Sequence, residues 1–303
     1  MFKKYQHIER YGTDEVEGIE VGTCYIFPKI DGTNSSVWLE NNEIHAGSRK
    51  RELSLDKDNA GFFEHISHDE NVRKYLEDHP THRLFGEWLV PHSLKTYRDD
   101  AWRKFYVFDV IDTKNEGEEN SIYSGYIPYE EYHDELEKYN IDYIPPIRII
   151  ENGNDEIISK TLDENHYLIK DDCGVGEGIV IKNYSFVNKY GRTTWAKIVR
   201  NEFKEVHHRV MGAPITDTGT VEERIINDYV TQSLVEKEFE KIREEKEGWS
   251  SKYIPILLSK VYHELINEEM WHILKKYKNP TINFARLNKF CIAKVKDVKN
   301  EIF

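Results

Sequence analysis

One lysine of the chain stands where a lysine could act as a nucleophile. Lys29 belongs to the string FPKIDGTN (residues 27–34), after an apolar stretch and before a glycine-containing turn. A lysine amine attacks a phosphorus or carbonyl centre when partial burial and cationic neighbours favour its neutral form. A hairpin turn with a solvated lysine would produce the same string, so this string alone does not decide the chemistry.

Further strings carry charged or aromatic residues inside or at the ends of apolar runs. They are GSRKR (47–51), FGEWL (85–89), YVFDV (106–110), EGIVIK (177–182) and WAKIVR (195–200). Glu87 in FGEWL stands out because a lone buried carboxylate is costly unless a partner hydrogen-bonds it. Taken alone, each string could also be an ordinary strand with a charged residue at its edge or an aromatic residue in the core. Their occurrence in one order and at workable spacings favours a functional interpretation more than any one string does.

The elements that must position these strings are mainly short strands. Runs of β-branched and aromatic residues predict strands at 24–27, 35–39, 83–90, 105–111, 178–182 and 194–199. The step ENNE at 40–43 predicts a hairpin turn. Helical periodicity is present over 68–78 and over 128–140, where Pro128 suits the first turn. Strands separated by such helices predict an α+β domain built on antiparallel sheet.

The character of the chain changes after about residue 206. The string HHRVMGAPITDTGT (207–220) is a connector rich in Gly, Pro and Thr, and it predicts domains at 1–206 and 207–303. Beyond it, three long helical patterns cover 221–247, 254–278 and 283–302. Thr220 or Thr218 could cap the first of these helices, and Pro280 ends the second. We therefore expect a small all-α second domain.

Composition limits the class of protein. The chain has 303 residues, 39% of them apolar, with 6 Trp, 19 Tyr and 13 Phe, which favours folded domains over disorder. Its apolar stretches are too short to span a bilayer, and MFKKYQHIER lacks the apolar segment of a signal peptide. Three distant cysteines have no metal-ligand spacing. We expect a monomer in a reducing, cytoplasmic setting, without a membrane partner.

Charge is distributed unevenly along the chain. The net charge is −13 overall, but residues 1–206 carry −14 and residues 207–303 carry +1. Residues 112–164 carry −11, which we interpret as a solvated face, whereas residues 271–303 carry +6. This basic tail leaves a nucleic-acid partner open, since it could follow an RNA backbone. Its lysines could also only favour a helix C-terminus.

As a set, the strings resemble the motifs of the covalent nucleotidyltransferases, which comprise ATP-dependent DNA and RNA ligases and mRNA capping enzymes. Over about residues 20–205, KIDG (29–32) resembles motif I, FGE (85–87) motif III, YVFD (106–109) motif IIIa, EGIVIK (177–182) motif IV and WAKI (195–198) motif V. The chain is most similar to the RNA ligase 2-like group. The similarity rests on Thr33-Asn34 after motif I, on Arg49 at the group's spacing, and on a helical appended domain instead of a β-rich OB fold.

This resemblance implies a fold and a reaction. The fold is α+β: an adenylyltransferase domain, ATP-grasp-like or of the DNA ligase type, built on antiparallel sheets and followed by a small all-α domain that contacts RNA. The reaction is RNA ligation with ATP and Mg²⁺ or Mn²⁺. Lys29 takes up AMP, the AMP passes to an RNA 5′-phosphate, and an RNA 3′-OH then displaces it. Dividing one displacement into several leaves mainly positioning and charge neutralisation to the protein.

The resemblance also implies a role for each matched residue. Lys182 and Lys197 would favour the neutral Lys29 amine and offset charge on the α-phosphate. Glu87 would bind the ribose, Phe108 would stack on adenine, and Glu177 would hold the divalent metal. The remaining residues expected to contact the nucleotide or the reactive ends are Asp31, Gly32, Asn34 and Arg49.

Motif V departs from the group's pattern of two lysines one residue apart. Here Lys197 is followed by Ile198 and Val199, and Arg200 or Lys204 could supply the second positive charge.

Three other functions remain compatible with the strings. They are a DNA nick ligase, a GTP-dependent capping-type nucleotidyltransferase, and a non-catalytic protein that binds RNA ends. The absence of a β-rich stretch after residue 206 counts against the first two, and the presence of Lys29 and Glu177 counts against the third.

Overall fold

The structure of the protein is a computed structural model that describes residues 2–90, 97–115, 125–171, 173–200 and 220–303. The described residues group into two units, one ending at 200 and one covering 220–303. The boundary predicted at 206/207, the connector at 207–219 and Lys204 lie outside the described residues, so the boundary stays a prediction.

The first unit contains strands and short helices in alternation. Its strands are β1 (Glu9–Arg10), β2 (Thr23–Lys29), β3 (Thr33–Glu40), β4 (Glu43–Ser48), β5 (His82–Leu89), β6 (Lys104–Asp112), β7 (Arg148–Glu151), β8 (Gly178–Lys182) and β9 (Ala196–Val199). Its helices are α1 (Phe62–Ser67), α2 (Glu70–Asp78), α3 (Tyr129–Lys138) and α4 (Asp155–Asp163).

These strands form two sheets. The first sheet has the order β1-β9-β8-β2-β7, and the second has the order β4-β3-β5-β6. The pairs are antiparallel except for the short parallel pair of β1 with β9. The predicted α+β fold with antiparallel sheets is therefore confirmed, whereas its ATP-grasp-like description stays a prediction.

One aromatic core lies between the inner faces of the two sheets. Tyr25, Phe27 and Val180 of the first sheet belong to the same buried cluster as Phe85 and Tyr106 of the second. The opposite face of the first sheet packs against α4, through a separate cluster that includes residues 158, 162, 179, 181 and 198. Since side chains alternate along a strand, these two clusters define which residues of β8 and β9 face the second sheet.

The predicted strands are present, with slightly different ends. The hairpin turn at 40–43 is confirmed, because Glu40 pairs with Glu43 and both Asn41 and Asn42 have positive φ, as a two-residue hairpin turn requires. The sequence analysis missed β1, β7, α1 and α4, and it implied β4 only through the hairpin turn, without a strand range. Strands of two and four residues carry too little periodicity to detect. Helix α4 lies within the acidic segment, where it keeps Ile158 and Leu162 buried while its charges face solvent.

The second unit is all-α over the described residues. Its helices are α5 (Val221–Tyr229), α6 (Gln232–Glu245), α7 (Ile254–Glu264), α8 (Met270–Lys276) and α9 (Phe284–Val298). A single buried cluster joins them, including Ile226, Phe239, Val261, Ile273 and Leu287.

The sequence predicted helices in the correct regions of this unit, but it did not predict where those helices are interrupted. The prediction of one helix over 221–247 was wrong, because Thr231 accepts a hydrogen bond from the Leu234 amide and starts a new helix. The pattern over 254–278 is interrupted by a π-helical turn at Leu265–Glu269. Thr220, one of the two predicted caps, forms a capping box with Glu223.

None of the helices in the described ranges combines the length and apolar character that a membrane crossing requires.

Candidate functional site

Lys29 and Glu177 meet at the ends of two paired strands. Lys29 is the last residue of β2 and pairs with Gly178, the first residue of β8. The Lys29 Nζ lies 2.6 Å from Glu177 Oε2, and the two side chains are 23% and 19% exposed. A partly exposed lysine that is held by a carboxylate remains reachable by a ligand entering from solvent. The predicted nucleophile and the predicted metal ligand therefore share one place.

Gly178 lies where two strands approach each other closely. A Cβ added at Gly178 would lie 2.1 Å from the Ile198 carbonyl oxygen, so this position accepts only glycine. Because Gly178 has no side chain, nothing from β8 fills the inner face directly beside Lys29.

The turn after Lys29 is held from the second sheet. The Gly32 amide donates a hydrogen bond of 3.0 Å to Glu87 Oε1, and Asp31 is buried at 2% exposure. A Cβ at Gly32 would lie 2.5 Å from the Trp88 carbonyl oxygen, which explains the glycine at this turn. The carboxylate that looked costly inside an apolar strand thus has a backbone donor as partner.

Asn34 and Arg49 lie at the same end of the second sheet. Asn34 pairs directly with Glu87, and directly opposed residues of antiparallel strands share a face. Arg49 follows the last residue of β4, Ser48, which pairs with Ser35. Both side chains are half-buried. The strand register therefore brings Asn34 and Arg49 to the end of the second sheet where Glu87 contacts the turn after Lys29.

Lys197 projects from the first sheet toward the second. It pairs with Val180 of the inner cluster, whereas its neighbour Ile198 belongs to the outer cluster on α4. Val199, the position at which the resemblance led us to expect a second lysine, shares the face of Lys197 by alternation.

Arg200, one of the proposed substitutes for that lysine, points away from this face. Its Nη2 lies 2.8 Å from Asp163 Oδ1 at the end of α4, and Ile198 on the same side packs against α4. Only its backbone contacts the site, since the Arg200 amide donates to the Glu177 carbonyl at 2.9 Å. In this structure Arg200 does not supply the second positive charge beside Lys197.

A β-bulge positions Phe108. The pairing of β5 with β6 shifts between Phe85 and Gly86, which oppose Asp109 and Val107, so Phe108 is the extra residue. The bulge lets Phe108 and Asp109 both face the inner core. The Phe108 ring is half-buried and packs edge-on against Tyr5, with 5.0 Å between the ring centroids. Phe108 therefore presents an aromatic face that a flat ligand could cover.

Lys182 lies in the core and not beside Lys29. It is the last residue of β8, pairs with Tyr25, and is thus four residues, about 13 Å, along the strand from Gly178. Its Nζ lies 2.7 Å from Asp109 Oδ1 and 2.5 Å from the Phe108 carbonyl, and its side chain is 2% exposed. Burial lowers the pKa of the Lys182 ammonium, while the Asp109 carboxylate acts in the opposite direction.

Asp109 is the centre of a satisfied buried network. Besides Lys182, it accepts hydrogen bonds from the Tyr5 hydroxyl and, at 3.2 Å, from Trp195 Nε1. Burial, followed by Asp109, raises the pKa of the Tyr5 phenol, which therefore stays protonated as a donor. The network ties β6 to β8 beneath Phe108. The action of Lys182 on the α-phosphate stays a prediction, and its contacts instead support a positioning role.

Tyr97 is a site residue that the sequence analysis missed. Its side chain is 2% exposed, and its hydroxyl accepts a 2.9 Å hydrogen bond from the Asp31 amide. Burial is the main cause that raises the pKa of this phenol, and Asp31, Glu177 and Glu87 raise it further. No motif surrounds Tyr97 in the sequence, so no local signal could have revealed it.

Comparison with known proteins finds similarity to RNA ligases. A family model described as RNA ligase matches residues 22–199. Naegleria gruberi RNA ligase with pyrophosphate is 19% identical, with a TM-score of 0.51 over 69% of this chain and 58% of that chain. A variant of that ligase with ATP and Mn is 18% identical, with a TM-score of 0.51 over 68% and 58%. Another with AMP and Mn is 17% identical, with a TM-score of 0.50 over 68% and 58%.

No curated protein matches the chain. The chain spans about 58% of the length of the Naegleria ligases that it matches. At 17–19% identity, these structures support the fold of the first unit.

Proposed function

Because the chain belongs to the RNA ligase family, we propose that it is an ATP-dependent RNA ligase that acts through a lysyl-AMP intermediate on Lys29. The observation that carries this proposal is the meeting of Lys29 with Glu177, at 2.6 Å, beside the turn that Glu87 holds. The residues proposed as the nucleophile, the metal ligand and the ribose ligand thus come from distant parts of the chain to one place.

The proposed first step forms one bond and breaks another. The Lys29 amine, after losing its proton, attacks the α-phosphorus of ATP, and the bond from that phosphorus to the pyrophosphate oxygen breaks. A phosphoamide and pyrophosphate result. Lys197 faces this region and offsets negative charge on the phosphates. Phe108 stacks on adenine and Glu87 binds the ribose, so that the α-phosphate is held near Lys29.

The later steps use RNA. An RNA 5′-phosphate oxygen attacks the phosphorus of lysyl-AMP and frees Lys29. An RNA 3′-OH then attacks the 5′-phosphate phosphorus and releases AMP, which forms the phosphodiester bond. Arg49 and Asn34, at the edge of the second sheet, would hold phosphate and the reactive ends. The substrate proposed is RNA with a 3′-OH end and a 5′-phosphate end.

Glu177 offers oxygen ligands to a divalent cation. Its side chain is partly exposed, so its carboxylate is open to a cation that enters from solvent. Hard oxygen ligands suit Mg²⁺ and Mn²⁺. A metal bound by Glu177 would offset charge on the phosphate oxygens. A cation at Glu177 would also compete with Lys29 for the carboxylate and weaken their ion pair, which favours the free amine.

The helical unit is the proposed contact for the RNA backbone. Lys275, Lys278 and Lys289 are exposed, and the Lys275 ammonium lies 5.4 Å from the ring centroid of Trp271, which is 60% exposed. Cations beside an exposed ring suit both phosphate and stacked bases. Not every lysine of the basic tail contributes, because Lys276 pairs with Asp228, and Lys299 is buried against Glu236.

The proposal is tested by the mass of the intact protein after incubation with Mg²⁺ and either ATP or GTP. We expect the mass of one adenylyl group to be added with ATP and nothing with GTP. Pyrophosphate treatment first removes any AMP already bound. A guanylyl adduct would favour the capping-type alternative, and no adduct after pyrophosphate treatment would favour the non-catalytic one. Joining of RNA strands but not of matched DNA strands then tests the substrate.

Replacing Phe108 tests adenine stacking. Loss of the ring in Phe108→Ala removes a stacking energy of about 1–3 kcal/mol, so the ATP concentration at half-saturation should rise about 10-fold. The measurement is the rate of lysyl-AMP formation as ATP is varied. Phe186→Ala is the matched control, because Phe186 is also half-buried but packs in the outer cluster. An equal rise in both variants would contradict the stacking role.

A further inference from the structure

Tyr97 reaches the turn that follows Lys29 from a segment outside all the recognised motifs. Its hydroxyl oxygen accepts the Asp31 amide hydrogen at 2.9 Å, and the next amide, that of Gly32, donates to Glu87 at 3.0 Å. Side chains from two different elements therefore hold two consecutive N–H groups of this turn. An amide that is buried without a partner is costly, so both bonds restrict where the turn can lie.

Tyr97 is itself firmly held. It forms an antiparallel bridge with Ile169, and the neighbouring Arg98 amide donates to the Leu168 carbonyl at 2.8 Å. Its ring packs edge-on against Trp102, with 5.3 Å between the centroids. Ile169 lies a few residues before Glu177 in the chain. Tyr97 thus connects the turn after Lys29 to the segment that leads to Glu177, the partner of Lys29.

The chemistry makes such a connection useful. In the proposed first step, Lys29 gives up its ion pair with Glu177, and its nitrogen, now bonded to phosphorus, no longer carries a positive charge, while the phosphoamide keeps the negative charge of the AMP phosphate. The electrostatic attraction between β2 and the start of β8 is then lost while the reacting atoms must stay aligned. A neutral hydrogen bond to the backbone does not change when that charge disappears. The Tyr97–Asp31 bond is therefore suited to keep the turn in place before and after adenylylation.

We infer that Tyr97 is a positioning residue for the adenylylation of Lys29, acting by holding the Asp31 amide, and that it neither touches ATP nor transfers a proton. This inference rests on the proposed function, because it assigns a task within the first step of ligation.

The test compares Tyr97→Phe with Tyr106→Phe. Both replacements remove one buried hydroxyl from the same aromatic cluster, but the Tyr106 hydroxyl donates to the Ala101 carbonyl at 3.0 Å and does not hold the turn after Lys29. With Tyr97→Phe, we expect the rate of lysyl-AMP formation at saturating ATP to fall about 10-fold, with half-saturating ATP unchanged within about twofold. With Tyr106→Phe, both quantities should match those of the unaltered protein.

A second measurement does not depend on activity. Hydrogen exchange at the Asp31 amide in the nucleotide-free protein should become about 10-fold faster in Tyr97→Phe and stay unchanged in Tyr106→Phe. If the unaltered protein forms no lysyl-AMP, the proposed function fails, and exchange still decides whether Tyr97 holds the turn. Equal rate losses in both variants, a change confined to half-saturating ATP, or unchanged Asp31 exchange would each overturn the inference.

Discussion

Lys29→Ala should abolish formation of the covalent nucleotide adduct while leaving the protein folded and able to bind ATP. The amine is the only group that can supply the nitrogen of the proposed phosphoamide, so the rate should fall at least about 10⁴-fold. Stability should change by less than about 1 kcal/mol, because Glu177 is partly exposed and water can replace its lost partner. Intact mass after incubation with ATP and Mg²⁺ measures the adduct.

A control variant at another lysine, and an RNA substrate that does not need the lysine amine, make this prediction specific to Lys29. Lys189→Ala removes a lysine of the same unit that is 48% exposed and lies 3.5 Å from Asp14. This variant should form the AMP adduct as the unaltered protein does. RNA that already carries AMP on its 5′-phosphate needs no lysine amine, so Lys29→Ala should still join it. An adduct on Lys29→Ala would place the nucleophile elsewhere. Failure on the pre-activated RNA alone would instead assign Lys29 a further task in the last step.

The parts of the site that the sequence predicted are those governed by strand alternation. Glu87 and Asn34 lie on strands with clear periodicity, and direct pairing of those strands brings the two residues to one face. Lys29 and Glu177 flank the pairing of β2 with β8 and meet for the same reason. The resemblance of the motifs predicted one site for these residues, and regular sheet pairing explains why their strands bring them together.

The residues that the sequence did not predict depend on irregular structure and on distant contacts. Tyr97 contacts Asp31 across 66 positions, and Tyr5 contacts Asp109 across 104. Nothing in the neighbourhood of either tyrosine indicates its partner. The bulge at Phe108 turns Asp109 inward, and a bulge is a property of pairing that no single strand reveals.

The depth at which a charged residue lies was also not predictable. Lys182 ends its strand, and the resemblance implied that it contacts the α-phosphate. In the structure it is 2% exposed, because Asp109 and the Phe108 carbonyl satisfy its ammonium inside the core. A charge becomes tolerable in a core only where a partner has been placed, and that partner comes from the other sheet.

Removal of one member of this buried pair should destabilise the protein strongly. Lys182→Met keeps the length of the side chain but leaves the Asp109 carboxylate buried without its cation, which should lower the free energy of unfolding by about 3–5 kcal/mol. Urea unfolding followed by intrinsic fluorescence measures the change. The matched control is Lys189→Met at the exposed lysine, where the change should stay within about 0.5 kcal/mol.

A second substitution separates the two possible tasks of Lys182. Asp109→Asn, added to Lys182→Met, removes the unpaired charge and keeps an oxygen that accepts from Tyr5 and Trp195. Since the cost of the single variant comes from an uncompensated carboxylate, the double variant should recover most of the lost stability. If Lys182 only positions Phe108 and the strands beneath it, lysyl-AMP formation should recover together with stability. If Lys182 acts on the α-phosphate, the double variant will be stable and still slow, because no neighbouring substitution can replace a missing positive charge at the phosphate.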